Sequence, residues 1–188
     1  MEISWDLMHE QIAACEKCEL CRNIHNKVPG QGNPEADLMF IGEGPGADED
    51  LQGLAFVGRA GQLLTKMIAA IGMTREEVFI CNIVKCRPPQ NRAPFPEEAA
   101  ACMPYLRCQV GMVKPKIIVL LGATAARYIL GDHVRITRDR GIWVEKKGVF
   151  FMPTYHPAAL LRDESKKRDA WHDLKAVQAK MKELGIKE

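Results

Sequence analysis

The sequence predicts an α/β fold of three layers, with helices on both faces of a four-stranded, mostly parallel sheet. Three observations predict it. The segments 37–42, 78–80, 116–122 and 148–152 are short and apolar at nearly every position, the pattern of parallel strands buried on both faces. Helical periodicity or helix-start residues lie between them, giving strand–helix alternation. Polar or glycine-rich stretches follow the strands, where open α/β sheets present their ligand crevices.

A length of 188 residues suits one domain with a sizeable core, and residues 1–188 read as a single domain with an N-terminal helical extension. No apolar run reaches membrane-spanning length, so no membrane partner is expected. Met1–Asp6 lacks the basic and apolar regions of a secretory signal, which assigns the chain to the cytosol. The formal net charge is only +2, so any attraction to nucleic acid must come from local clusters. Seven cysteines are an odd number in such a chain, which favours metal binding or burial over a disulfide framework.

Residues 4–14 read as a helix with Ile3, Leu7, Met8 and Ile12 as its apolar positions. The run Cys15, Cys18, Cys21 follows, spaced C-x2-C-x2-C. It partly resembles a ferredoxin run but lacks the fourth cysteine before a proline. Two of the three are expected to bind metal with distant partners, and a zinc site is an open alternative. Residues 23–35 are rich in Gly, Asn and Pro and read as a loop. After the first strand, Gly42-Glu43-Gly44-Pro45-Gly46 lacks the Gly-Lys-Ser/Thr ending of a phosphate loop, and its glycines permit close backbone approach to a ligand. Phe56 is either a core residue or a stacking platform. A helix is expected over 62–71, stopped by Gly72, and 74–77 is a capped turn before the second strand.

The stretch from Cys81 to Arg92 is the densest in chemistry. Asn82 stands at the second strand's carboxyl end with an amide that both donates and accepts, enough to read one edge of a planar base. Cys86 is a candidate ligand, Lys85, Arg87 and Arg92 add positive charge, and Pro88-Pro89 stiffens the loop. Residues 96–113 then read as a helix carrying Cys102 and tolerating Pro104. Gly122-Ala123-Thr124 opens a helix to Leu130, either as a phosphate-holding turn or as an ordinary one. The fourth strand leads to His156-Pro157-Ala158-Ala159-Leu160-Leu161-Arg162, on the same sheet edge as Glu43 and Asn82. A last helix is expected over 165–184.

Strand–helix alternation with GEGPG, FVGRAGQLL, NIVKCRPPQNRAP and HPAALLR in this order resembles the uracil-DNA glycosylases, specifically the iron–sulfur group called family 4. The resemblance runs from Cys15 to the last helix. It implies a structural four-iron four-sulfur cluster on Cys15, Cys18, Cys86 and Cys102, with Cys21, Cys81 and Cys108 outside the ligand set. It implies a monomer acting on single- or double-stranded uracil-containing DNA. Phe56 would stack on a flipped uracil, Asn82 would read its edge, and Gly42 and Gly44 would offer backbone N–H groups to its carbonyls. His156 would donate to O2 as the glycosidic bond breaks. For Glu43 three roles stay open: positioning water, stabilising the cationic sugar, or shaping the pocket. Leu160, with Leu161 as alternative, would fill the vacated stack, and Arg59, Arg87, Arg92 and Arg162 would contact phosphates. One subgroup forms a covalent adduct through a His in the central loop. Residues 87–92 contain none, so ordinary turnover is expected.

Overall fold

A computed structural model describes residues 3–187; residues 1, 2 and 188, the ends of the expected domain, lie outside the described residues. In chain order the elements are α1 (Trp5–Ala13), β1 (Gln31–Gly32), β2 (Leu38–Gly42), α2 (Ala47–Gln52), α3 (Arg59–Ala70), β3 (Phe79–Asn82), α4 (Pro96–Val113), β4 (Ile117–Leu121), α5 (Ala123–Leu130), α6 (Ile136–Asp139), β5 (Val144–Lys146), β6 (Val149–Thr154), α7 (Pro157–Arg162) and α8 (Lys167–Glu183). No helix among them is long and apolar enough to cross a membrane.

The sheet order is β1-β3-β2-β4-β6-β5. The four expected strands form its parallel centre, β3-β2-β4-β6. The expected count of four is corrected to six, because β1 and β5 add short antiparallel edges. At two and three residues, neither carries a readable alternation, yet each covers the exposed edge of a buried strand. The strand order reverses beside β2: the chain leaves β2 for β3 on one side and reaches β4 on the other. The crevice between the ends of β2 and β4 is therefore the place where this topology opens a ligand site.

Successive residues of a strand face opposite sides, which makes three layers out of the apolar runs. Leu38, Phe40, Ile80, Val119 and Met152 face one core with α3 and α8. Met39, Ile41, Phe79, Ile118 and Leu120 face the other with α4 and α5. All five residues of β2 and of β4 are buried, so both faces needed apolar side chains.

Local chemistry sets the helix ends. The Ser4 hydroxyl oxygen accepts from the Leu7 N–H at 3.1 Å and starts α1, which buries Met8 and Ile12 but leaves Ile3 exposed. Helix α4 follows Pro96 at its first turn, with Glu98 accepting the Phe95 N–H at 2.7 Å. Helix α3 begins three residues earlier than expected, from Gly58 as its cap. Helix α2 was hidden within the acidic segment: its first-turn carboxylates Asp48, Glu49 and Asp50 suit a helix N-terminus.

Candidate active site

Parallel register lines up the site. Gly42 pairs with Asn82, and Leu121 pairs with Thr154 two residues before His156, so Glu43, Asn82 and His156 all leave the carboxyl edge. From β3 to β6 is three strand spacings, roughly 14 Å. The loops close much of that gap: the Phe56 and His156 rings lie 5.5 Å apart, tilted by 31°. Glu43, Phe56, Thr124 and His156 line one cleft, and Asn82 lies buried beneath it. A Cβ at Gly42 would stand 2.5 Å from both Asn82 Oδ1 and the Phe56 ring, so the bare backbone is what lets the amide and the ring converge. Asn82 is only 1% exposed, and no donor among the described residues reaches its Oδ1. An orphaned buried acceptor costs about 1–3 kcal/mol. A ligand N–H at that point would remove the cost.

Phe56 belongs to the core and also lines the cleft. It is buried, and its φ of 54° lies in the left-handed region, which a bulky residue occupies only when its surroundings hold it there. Arg75 donates to the carbonyls of Phe56 at 2.8 Å and Ala55 at 2.7 Å. Glu49 accepts from the N–H groups of Val57 and Gly58 at 2.8 and 2.7 Å and from Gly46 at 3.0 Å. Gly61 gives the first turn of α3 room to press on Phe56: a Cβ there would sit 1.9 Å from its carbonyl carbon.

His156 caps α7. Its Nδ1 accepts the Ala158 N–H at 3.0 Å. A backbone amide only donates, so the ring proton resides on Nε2, a fixed donor. Burial pushes the imidazole down to about 4, with the Arg162 guanidinium adding to the shift and Glu49 opposing it. The ring is therefore neutral at physiological pH. Folding excludes a proton that the unfolded chain binds at its ordinary value near 6.5, so the wild type should lose stability as pH falls from about 6.5 towards about 4. Denaturation at both pH values should show a larger loss in wild type than in His156→Ala, and NMR should show the ring titrating near the lower value. Titration near 6.5 would remove the basis of this expectation.

Glu43 faces the crevice at the strand reversal. The Thr124 hydroxyl, at the start of α5, donates to its Oε2 at 2.5 Å. Gly122, at φ 94°, passes so near His156 that a Cβ would approach its Cβ at 3.0 Å. The turn expected to be either a phosphate loop or an ordinary one thus orients two candidate catalytic side chains. Gly44 sits in the same cleft against Val84.

The expected DNA contacts divide. Arg59 and Arg162 are exposed at the cleft, joined there by Lys166. Arg87 donates to the Asn91 side chain at 2.7 Å. Arg92 also lines the cleft, held there by both Glu98 carboxylate oxygens at 2.7 and 3.0 Å and lying over the Phe95 ring. Leu160 is corrected: at 2% exposure it belongs to the core and cannot enter a base stack, whereas Leu161 is half-buried.

Beside this cleft, Cys15, Cys18, Cys86 and Cys102 line a second cavity, between the end of α1, the segment after β3, and α4. Ile12, Leu20, Val84 and Tyr105 make its walls apolar, and Cys21 also lies on them. Cys81 is buried in the core, and Cys108 packs against Met8, Ile12 and Tyr105. Burial pushes the Cys86 thiol up to about 12, with Cys102 and Cys18 adding to the shift and Lys27 opposing it. Cys102 Sγ accepts the Lys85 N–H at 3.3 Å. Among the described residues, no three His, Cys, Asp or Glu side chains are gathered closely enough to hold one metal ion. Five thiols around one cavity, with Lys17, Lys27, Lys85 and Glu98 also lining it, are a soft sulfur donor set of the kind that holds iron–sulfur groups.

Comparison with known proteins follows the same lines. Residues 29–175 match the Uracil DNA glycosylase superfamily. A type-4 uracil-DNA glycosylase of Sulfurisphaera tokodaii is 45% identical over 192 residues, covering 97% of this chain and 86% of that protein. Those of Thermotoga maritima and Archaeoglobus fulgidus are each 44% identical, covering 96% and 94% of this chain and 96% and 92% of theirs. With its reversed parallel sheet, its Asn82 and His156 edge and its paired cavities, the chain belongs to the uracil DNA glycosylase superfamily and, within it, to the type-4 uracil-DNA glycosylases.

Proposed function

We propose that this protein is a monofunctional uracil-DNA glycosylase. It flips uracil out of DNA, hydrolyses the N-glycosidic bond and leaves an abasic site for base excision repair. The observation that carries this reading is the orphaned Asn82 Oδ1 beside the Phe56 ring. Uracil N3–H supplies the missing donor and O4 accepts from the Asn82 amide. Cytosine presents an acceptor and a donor in the reverse order, so it leaves like groups facing each other.

Flipping costs a few kcal/mol, and stacking on Phe56 returns about 1–3 kcal/mol. Leu161 is the better-placed wedge, and Arg59, Arg162 and Lys166 grip phosphates around the cleft. Bond breaking leaves a cationic sugar and a uracil anion. His156 Nε2–H donates to O2 as its charge grows, and needs no prior protonation to do so. Glu43, oriented by Thr124, places water against the sugar and offsets its positive charge.

Cys15, Cys18, Cys86 and Cys102 would hold a four-iron four-sulfur cluster. Such a cluster supplies a structural cross-link between the N-terminal extension and the loop after Asn82, and hydrolysis needs no electron from it. We assign the protein's work to the cytosol, a reducing compartment that suits seven cysteines without a disulfide among them, and to a monomer on single- or double-stranded uracil-containing DNA.

The test is incubation of iron-loaded protein with an oligonucleotide carrying one uracil, followed by alkali to cut at an abasic site. Matched thymine and cytosine strands should stay whole, and an uncut uracil strand would refute the reading. In the same assay Asn82→Ala should cleave more slowly. At one fixed salt concentration, as phosphate contacts make affinity salt-dependent, it should also lose its preference for binding uracil over cytosine. Retained preference would move base reading to another group.

A further inference from the structure

Lys85 is only 2% exposed, although lysine is almost never fully buried without a partner. Its Nζ donates to the Asn82 carbonyl at 2.8 Å and to Gln109 Oε1 at 2.7 Å, and both acceptors are neutral. Gln109 is itself buried, and its Nε2 donates to the Pro29 carbonyl at 2.7 Å, which fixes its oxygen towards the lysine. Among the described residues no carboxylate forms an ion pair with Lys85. A buried charge without a counter-charge is expensive. The groups beside it that can become anionic are thiols: its own N–H donates to Cys102 Sγ, and Cys86 is the next residue. The positive charge also opposes the upward push of burial on Cys102 and Cys81.

We propose that Lys85 is a positioning residue that joins the two cavities: its ammonium is the buried counter-charge of the thiolate-held cluster, inside the less buried Lys17 and Lys27, and the same ammonium helps to fix the peptide that carries Asn82. The inference rests on the cluster and the glycosylase reading proposed above. A cluster on four thiolates is a net anion, and it supplies the charge that Gln109 and the Asn82 carbonyl lack. Asn82 is the last residue of β3; the N–H of its following peptide, on Ile83, donates to the Gly42 carbonyl at 2.9 Å. The bond from Lys85 secures the carbonyl end of that peptide, so both ends are held and, with them, the backbone from which the reading amide projects. The lysine's own carbonyl accepts the Val28 N–H at 2.7 Å. One residue therefore ties the N-terminal extension, the base reader and the cysteine cavity together.

The test uses full-length, iron-loaded protein and begins with wild type, which must show the cluster's absorbance and cut uracil-containing DNA. Failure there counts against the underlying reading and not against Lys85. Lys85→Met, which removes charge and donor, is then compared with Lys85→Gln, which keeps a donor without charge. Both should shift the cluster's midpoint potential to more negative values and release iron to a chelator about 10-fold faster or more, as loss of an outer-shell partner does. Lys85→Met should also bind a uracil oligonucleotide about 10-fold more weakly, with little change for a uracil-free strand, and Lys85→Gln should recover part of that loss. If Lys85→Met does not fold, the potential of Lys85→Gln decides the counter-charge role. Wild-type potential in the folded variants would overturn the proposal, as would a shifted potential with unaltered uracil affinity in Lys85→Met.

Discussion

His156→Ala should slow single-turnover cleavage of a uracil oligonucleotide by about 10²–10³-fold, the usual cost of removing a donor aimed at a developing anion. Its affinity for the same strand should change little. The reason is timing. The ring is neutral, with its proton fixed on Nε2 by the Ala158 amide, so it offers the bound base only an ordinary hydrogen bond. That bond strengthens once O2 gains charge, and an interaction realised mainly in the transition state appears in rate rather than in binding. Single-turnover rate and equilibrium Kd at one salt concentration separate the two. A His156→Ala enzyme that cuts at the wild-type rate when saturated would transfer the role to another group, with Glu43 first in line.

Cys86→Ala or Cys102→Ala should purify with iron near background and without absorbance around 400 nm. Unfolding should come roughly 6–12 °C earlier, as expected for about 3 kcal/mol lost in a chain of this size. Both thiols line the cavity, and Cys86 lies four residues beyond Asn82, so the loop holding the reader loosens with the cluster. Cys21→Ala should keep its iron, although Cys21 lies on the same wall. Iron assay and thermal denaturation of these three variants and of Cys15→Ala check this. Iron lost in Cys21→Ala and retained in Cys15→Ala would reassign the ligands.

Strands β2 and β4 were legible in the sequence because burial on both faces forces a continuous apolar run. Strands β1 and β5 were not, because a two- or three-residue edge needs no pattern of its own. Asn82 and His156 were legible from their places after strands. Burial is where reading by position fails. Leu160 has the spacing of a wedge but faces the core, and Lys85 looks like surface charge but is sealed inside. Arg92 lines the cleft as expected, but its pairing with Glu98, six residues on, had no signal of its own. Thr124 reaches Glu43 across 81 residues, Arg75 reaches Phe56 across 19, and neither partner carries a local signal of the other.

The sheet order bears on how the chain assembles. Leu38 pairs with Ile117, so the central strand pair closes across a segment that contains β3 and α4. Such non-local pairing forfeits chain entropy before contacts repay it, and topologies built this way fold slowly. Cys86 and Cys102 come from inside that segment, and Cys15 and Cys18 from the extension before it. Bringing the four thiols together therefore closes the chain from Cys18 to Cys86, a second non-local closure that overlaps the first. With the cluster proposed above, iron incorporation would mark molecules whose N-terminal extension has already docked beside α4, and leave the others colourless.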